Sequence, residues 1–224
     1  MTEKSRNMAA LRYKRVFFDL DGTLIDTAPG IIASMNRMLE IRSLPPINME
    51  QHMALIGPPL QLGFSEVLGL SGEELSEAIR VYRDIMPDIS RELIAPFGGV
   101  IELLDALKRH GAFIGVITSK QQSTAIEQLD HFGIWKYVDY IMGAEPNGEG
   151  EKTALMKKAG SEIAFDDDCV MIGDRFYDIN GAKAVGIASI GVSYGYAPVG
   201  ELEGCKPTFI VNTVGELQGL LLTD

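Results

Sequence analysis

The sequence predicts an α/β protein: a parallel sheet with helices on both faces, interrupted near its start by an all-helical insert. Two observations carry this expectation. Short apolar, often β-branched runs alternate with segments of helical spacing through the second half of the chain. Between residues 28 and 95 that alternation stops, and helical patterning punctuated by prolines replaces it.

Taken in order, residues 1–13 read as a polar N-terminal tail. Residues 14–19 form the first strand, with Val16-Phe17-Phe18 as its apolar centre. In the insert, Ile31, Ile32, Met35, Met38 and Leu39 recur at helical spacing, as do Leu75, Ile79 and Tyr82, while Pro45-Pro46 and Gly57-Pro58-Pro59 break the pattern. Strands are then expected at 113–117, 138–142, 169–172, 189–192 and 209–211, and helices at 98–110, 121–133, 151–160, 177–186 and 213–222. Residues 14–27 and 96–224 make the core domain on this reading, and 28–95 the insert.

The composition fits a soluble globular protein. Of the 224 residues, 46% are hydrophobic and 23% charged. The longest purely apolar runs fall far short of the ~20 residues that span a bilayer, and the N-terminus lacks the apolar segment of a secretory signal, so a cytoplasmic protein is expected. A net charge of −11 without a basic stripe disfavours nucleic acid and anionic lipid as partners. An anionic ligand then needs local cations. The two cysteines, Cys169 and Cys205, are expected to be free thiols.

Four segments carry chemistry. The first is Asp19-Leu20-Asp21-Gly22-Thr23, where an apolar strand runs into two acids two residues apart. Carboxyl ends of parallel strands are where such sheets bind ligands, and side chains two apart on an extended segment address one centre. A calcium loop starting at Asp19 fails, because Thr23, Leu24 and Gly30 occupy positions 5, 6 and 12. The second is Gly173-Asp174-Arg175-Phe176-Tyr177-Asp178, two more acids at a strand end, suited to a hard cation such as Mg²⁺. Alone, it also fits a helix cap with a first-turn acid. The third is Thr118-Ser119-Lys120, strand-end hydroxyls before a helix, which suit a phosphate cradle or an ordinary N-cap. The fourth is Lys152 at a helix start, a position more often solvated.

In this order the segments resemble the haloacid dehalogenase-like (HAD) hydrolase superfamily, over nearly the whole chain from Lys14 to Leu222. Asp19, Asp21 and Thr23 match its Asp-x-Asp-x-Thr motif, Thr118 its second motif, Lys152 its third, and Asp174 with Asp178 its acidic pair. Thr153 stands where the family often has Pro after the lysine, and Lys157 and Lys158 are the alternatives to Lys152. The resemblance implies a Rossmann-like three-layer core with a small helical cap. It also implies an Mg²⁺-dependent phosphatase acting on a small-molecule phosphate ester.

Asp19 is then the nucleophile forming an aspartyl-phosphate, and Asp21 the general acid and base. Mg²⁺ is held by Asp19, the backbone carbonyl of Asp21 and Asp174, supported by Asp178. Thr118, Ser119 and Lys152 hold the phosphoryl group. The stretch from Ile172 to Tyr196 looks like phosphoglycolate phosphatases and 5′-nucleotidases. Substrate contacts are expected from Gly57-Pro58-Pro59-Leu60 with Arg37 and His52. A β-phosphoglucomutase-like mutase shares these motifs, and a catalytically silent phosphate-binding protein is the non-enzyme alternative.

Overall fold

The structure is a computed structural model that describes residues 10–90, 92–145 and 150–223. In chain order its elements are β1 (Ala10–Leu11), β2 (Arg15–Phe18), β3 (Ile25–Asp26), α1 (Ala28–Ile41), α2 (Met49–Ala54), α3 (Leu60–Leu68), α4 (Gly72–Ser90), β4 (Ala95–Pro96), α5 (Val100–Arg109) and β5 (Phe113–Gln121). There follow α6 (Gln122–His131), β6 (Tyr140–Ala144), α7 (Lys152–Ile163), β7 (Cys169–Gly173), α8 (Phe176–Val185), β8 (Ala188–Val192), α9 (Glu201–Cys205), β9 (Phe209–Val211), α10 (Val214–Leu221) and β10 (Leu222–Thr223).

Six strands pair in parallel in the order β6-β5-β2-β7-β8-β9. The chain steps outward from β2 through β5 to β6, returns to β7, and continues outward on the other side. That reversal opens a crevice between the carboxyl ends of β2 and β7. The buried run of β2 explains why it sits at the centre. Val16 and Phe18 face one layer, packing with Leu103, Leu107, Leu129 and Leu217 of α5, α6 and α10. Phe17 faces the other, with Met156 of α7, Met171 of β7 and Ala182 of α8. A strand buried on both faces reads as continuous apolar sequence rather than alternation.

Helices α1–α4 form the insert. They enclose their own apolar cluster, including Met35, Met38, Phe64, Ile79 and Tyr82, with the Phe64 and Tyr82 rings edge to face at 5.8 Å. The chain leaves and re-enters the core through β3 and β4, which pair antiparallel (Ile25 with Pro96, Asp26 with Ala95). Ile31, Ile56 and Tyr196 pack where cap and core meet.

Four details differ from the sequence reading. Residues 10–11 are not tail: they pair with Leu222 and Thr223, and Tyr13 packs against the core. The last helix gives way to that short strand at Leu222. Two further short helices, α2 and α3, lie between the two that the spacing indicates. β5 continues past Ile117 to Gln121, and its register against β6 shifts between those residues. Residues 146–149 of the loop before Lys152 lie outside the described residues. Among the described residues no helix is long and apolar enough to cross a membrane. Cys169 and Cys205 are both free.

Candidate active site

The site is built where β2 and β7 end. The Asp19 amide donates to the Ile172 carbonyl at 2.8 Å, which ties the two strand ends together. The chain then folds back at once, with the Leu24 and Ile25 amides both donating to the Leu20 carbonyl at 3.0 Å. Gly22 takes φ +79°, and a Cβ there would stand 2.3 Å from Asp174 Oδ2. Both conformation and space therefore require glycine. Asp174 is fully buried: its Oδ2 accepts from the Tyr196 amide at 2.7 Å, and its Oδ1 faces the Thr23 hydroxyl at 3.4 Å.

Asp178 sits in the first turn of α8, where its Oδ2 accepts from the Arg175 amide at 3.2 Å. Gly173 leaves room for it, since a Cβ there would lie 2.1 Å from Asp178 Cγ. Asp19, Asp174 and Asp178 each bring a carboxylate oxygen within 4.8 Å of the other two, and all three are buried. Lys152 enters at the start of α7, a helix capped by Glu151, whose side chain accepts from the Thr153 and Ala154 amides. Only 3% exposed, Lys152 Nζ contacts Asp19 Oδ1 at 2.7 Å and Asp178 Oδ1 at 2.9 Å, and donates to the Ile117 carbonyl at 2.8 Å.

One lysine thus pairs with two of three clustered buried carboxylates. Burial, with Asp178 and Asp21 adding repulsion against the pull of Lys152, pushes the Asp19 carboxyl up to about 7. Asp174 is pushed well above the ordinary carboxylate range, by burial first and then by Asp178 and Asp19. Lys152 is raised despite the opposing effect of burial, by Asp178 and Asp19. Asp19 Oδ1 and Asp178 Oδ1 are buried without an aligned hydrogen-bond donor, so the lysine meets them as a charge. Hard oxygen donors, surplus negative charge and unsatisfied carboxylate oxygens fit a divalent cation, and this cluster can bind a metal.

The other residues singled out in the sequence fall into place around the cluster. Asp21 turns its side chain to Lys120 instead, with Oδ1 2.7 Å from Nζ. Thr118 is buried, its Oγ1 accepting from the Lys120 amide at 3.2 Å. Ser119 and Asp21 line a cavity of about 240 Å³ between core and cap. Lys157 and Lys158 are exposed, and Lys158 pairs with Glu145.

Of the expected substrate contacts, Gly57, Pro58, Pro59 and Leu60 line the cavity. Arg37 and His52 do not. Arg37 is an exposed partner of Glu40, and the ring of buried His52 bonds the Asn48 carbonyl and Asn36 Oδ1 within the cap. Arg37 lies on a solvated helix face and His52 in helix packing, and neither reaches the cavity.

Residues 16–192 match the family model described as haloacid dehalogenase-like hydrolase. The chain belongs to that family. Among its haloacid dehalogenase-like relatives, a 5′-nucleotidase of Pseudomonas aeruginosa is 34% identical over 95% of this chain and 97% of its own. A phosphoglycolate phosphatase of Agrobacterium fabrum is 32% identical over 89% of this chain and 88% of its own. The crystal structure of a predicted phosphatase from Clostridium acetobutylicum superposes with a TM-score of 0.86 at 34% identity, covering 93% of this chain and 97% of that one. The fold is therefore that of haloacid dehalogenase-like enzymes with a helical insert, and the activity is that of a phosphatase, a phosphoric monoester hydrolase.

Three residues at this haloacid dehalogenase-like site carry no assignment from sequence. Lys120 holds Asp21. Arg175 donates from Nη1 to the Ile56 carbonyl of the cap and from Nε to Glu201 Oε1 at 2.9 Å. Tyr196 accepts at its hydroxyl from the Thr27 and Ala28 amides, at the start of α1, while its own amide holds Asp174. Lys120 and Arg175 adjoin motif residues, which is the one signal that pointed to them. Tyr196 lies in the loop after β8, another carboxyl end of the sheet.

Proposed function

We propose that this phosphatase hydrolyses a phosphoglycolate- or nucleoside 5′-monophosphate-type ester in the cytoplasm, with Mg²⁺, through an aspartyl-phosphate on Asp19. The observation that carries the reading is the clustering of the Asp19, Asp174 and Asp178 carboxylates at the sheet's reversal point, with Lys152 against Asp19 and Asp178. Asp19 attacks phosphorus and splits one displacement into two. Lys152 fixes the nucleophile from one side and offers positive charge to the phosphoryl oxygens, with Thr118 and Ser119 at the end of β5 beside it. Asp21 faces the cavity, where the leaving group sits; it protonates that oxygen, then takes a proton from the water that frees Asp19. Asp19, Asp174 and the Asp21 carbonyl would hold Mg²⁺, with Asp178 supporting them, and the bound ion would neutralise the repulsion between carboxylate and phosphate. The cap of residues 28–95 excludes water during transfer.

Within this pair of substrate types the cavity favours the nucleoside. Its cap wall is apolar (Ile31, Leu55, Pro58, Leu60, Met86), with Arg83 as the cap's cation among the described lining residues. A volume of about 240 Å³ equals about eight waters, more room than a glycolyl group needs. The test is a hydrolysis screen with Mg²⁺ over small phosphate esters. A nucleoside 5′-monophosphate should give a higher kcat/KM than phosphoglycolate, and Asp19→Asn should abolish turnover of both. Activity retained in that variant sinks the mechanism. Turnover seen only with a hexose bisphosphate primer assigns the chain to the mutases instead.

A further inference from the structure

The end of β5 is irregular. Its register against β6 shifts between Ile117 and Gln121, which brings Lys120 to the rim of the cavity. Bulges of this kind re-aim side chains next to active sites. Lys120 Nζ lies 2.7 Å from Asp21 Oδ1 and 2.8 Å from Gln128 Oε1 of α6. The pair is largely enclosed, with Lys120 11% and Asp21 17% exposed, whereas the surface pair Lys14–Asp168 is 74% and 46% exposed. Gln128 is itself buried on a helix, so it fixes an ammonium that a flexible four-carbon stem would otherwise leave free.

We propose that Lys120 is a positioning residue for Asp21: it grips Oδ1 and presents Oδ2 to the leaving-group oxygen. The proposal rests on the reading of Asp21 as acid and base given above. A carboxyl on a tight loop rotates freely about its last torsion unless one oxygen is held. General acid catalysis needs the proton within hydrogen-bond reach of the breaking bond. In the transfer step an Asp19 oxygen bonds to phosphorus and the bond from phosphorus to the ester oxygen breaks. The proton on Asp21 Oδ2 passes to that oxygen. The carboxylate left on Asp21 keeps the Lys120 ammonium at Oδ1. No further reactant is consumed.

A leaving-group series tests this. An alkoxide such as that from ethyl phosphate needs protonation as it departs, and p-nitrophenolate barely does. In Lys120→Met, kcat/KM for ethyl phosphate should fall by roughly 100-fold, within the range that general acid catalysis contributes, and at least about 10-fold more than for p-nitrophenyl phosphate. Lys120→Arg should recover part of the loss, and Gln128→Met should show the same bias more weakly. The p-nitrophenyl phosphate activity reports that each variant is folded. Equal losses across the series overturn the proposal, as does a loss confined to esters with an anionic leaving group such as phosphoglycolate, which makes Lys120 a substrate contact. If the unaltered protein shows no Asp19-dependent hydrolysis of any ester, the underlying reading of Asp21 falls, and the positioning role with it.

Discussion

Asp174→Asn should abolish stabilisation by Mg²⁺ without weakening the metal-free protein. The substitution keeps the shape of a residue that is fully buried between Tyr196 and Thr23. An amide oxygen can still accept from the Tyr196 amide. What is lost is one carboxylate from a cluster of three in which Lys152 pairs with the other two. Each unit by which burial and repulsion raise a carboxyl pKa costs its ionised form about 1.4 kcal/mol. Neutralising a group that is raised by both should therefore leave the EDTA-treated variant melting no lower than wild type.

For wild type, a ligand at 100 times its Kd contributes about 2.7 kcal/mol, and a chain of this size gains roughly 2–4 °C per kcal/mol, so Mg²⁺ should raise Tm by about 5–11 °C. The pH dependence has a definite sign. Asp19 is raised from 3.8 to about 7, so the folded state binds this proton more tightly than the unfolded chain. Without Mg²⁺, stability from this group is present below about pH 4 and is lost as pH rises through about 7. Mg²⁺ needs the deprotonated ligands, so its protection grows over the same interval. Differential scanning fluorimetry with and without Mg²⁺, between about pH 5 and pH 8, should show a widening gap in wild type and none in Asp174→Asn. A gap that is flat with pH, or that survives in the variant, refutes the assignment of a cation to these carboxylates.

Two further outcomes follow from single contacts. Arg175→Ala removes the donor to the Ile56 carbonyl and the partner of Glu201, and should cost about 1–3 kcal/mol in thermal melts, with faster hydrogen exchange at residues 56–60 than in the sheet. Gly173→Ala drives a Cβ into Asp178 and should weaken Mg²⁺ binding by about 10–100-fold in calorimetry, as loss of a group that supports metal ligands does.

The sheet was legible because its central strands are buried on both faces and read as unbroken apolar runs, Val16–Phe18 and Val170–Ile172 among them. The acids were legible because each stands just past such a run. The cap was only half legible. α2 and α3 are six and nine residues long, too short to hold a helical pattern on their own, and they exist because Leu55 and Phe64 pack into the cap's cluster. Lys152 shows a different limit. Its place at a helix start predicts solvent, yet it is buried because Asp19, Ile117 and Asp178, from three distant segments, converge on its ammonium. No local window contains that information.

The pair Asp19 and Asp21 shows what folding adds to a motif. Spacing by two predicts that both carboxylates point the same way, but β2 ends at Phe18 and the chain turns back through Gly22, so the extended geometry does not persist across the pair. The turn sorts two chemically identical groups into two environments. Asp19 is drawn into the buried cluster with Lys152, where charge is in surplus and a cation fits. Asp21 stays at the cavity rim with Lys120, close enough to Asp19 to raise its pKa, yet paired with a cation of its own. Different environments give like groups different tasks, which in the proposed mechanism are attack on phosphorus and transfer of a proton. A chain that merely placed two acids at a strand end would present two equivalent carboxylates to one ligand. The separate lysines make the two acids inequivalent. That inequivalence, which the sequence spacing alone did not contain, is what the proposed two-step displacement requires.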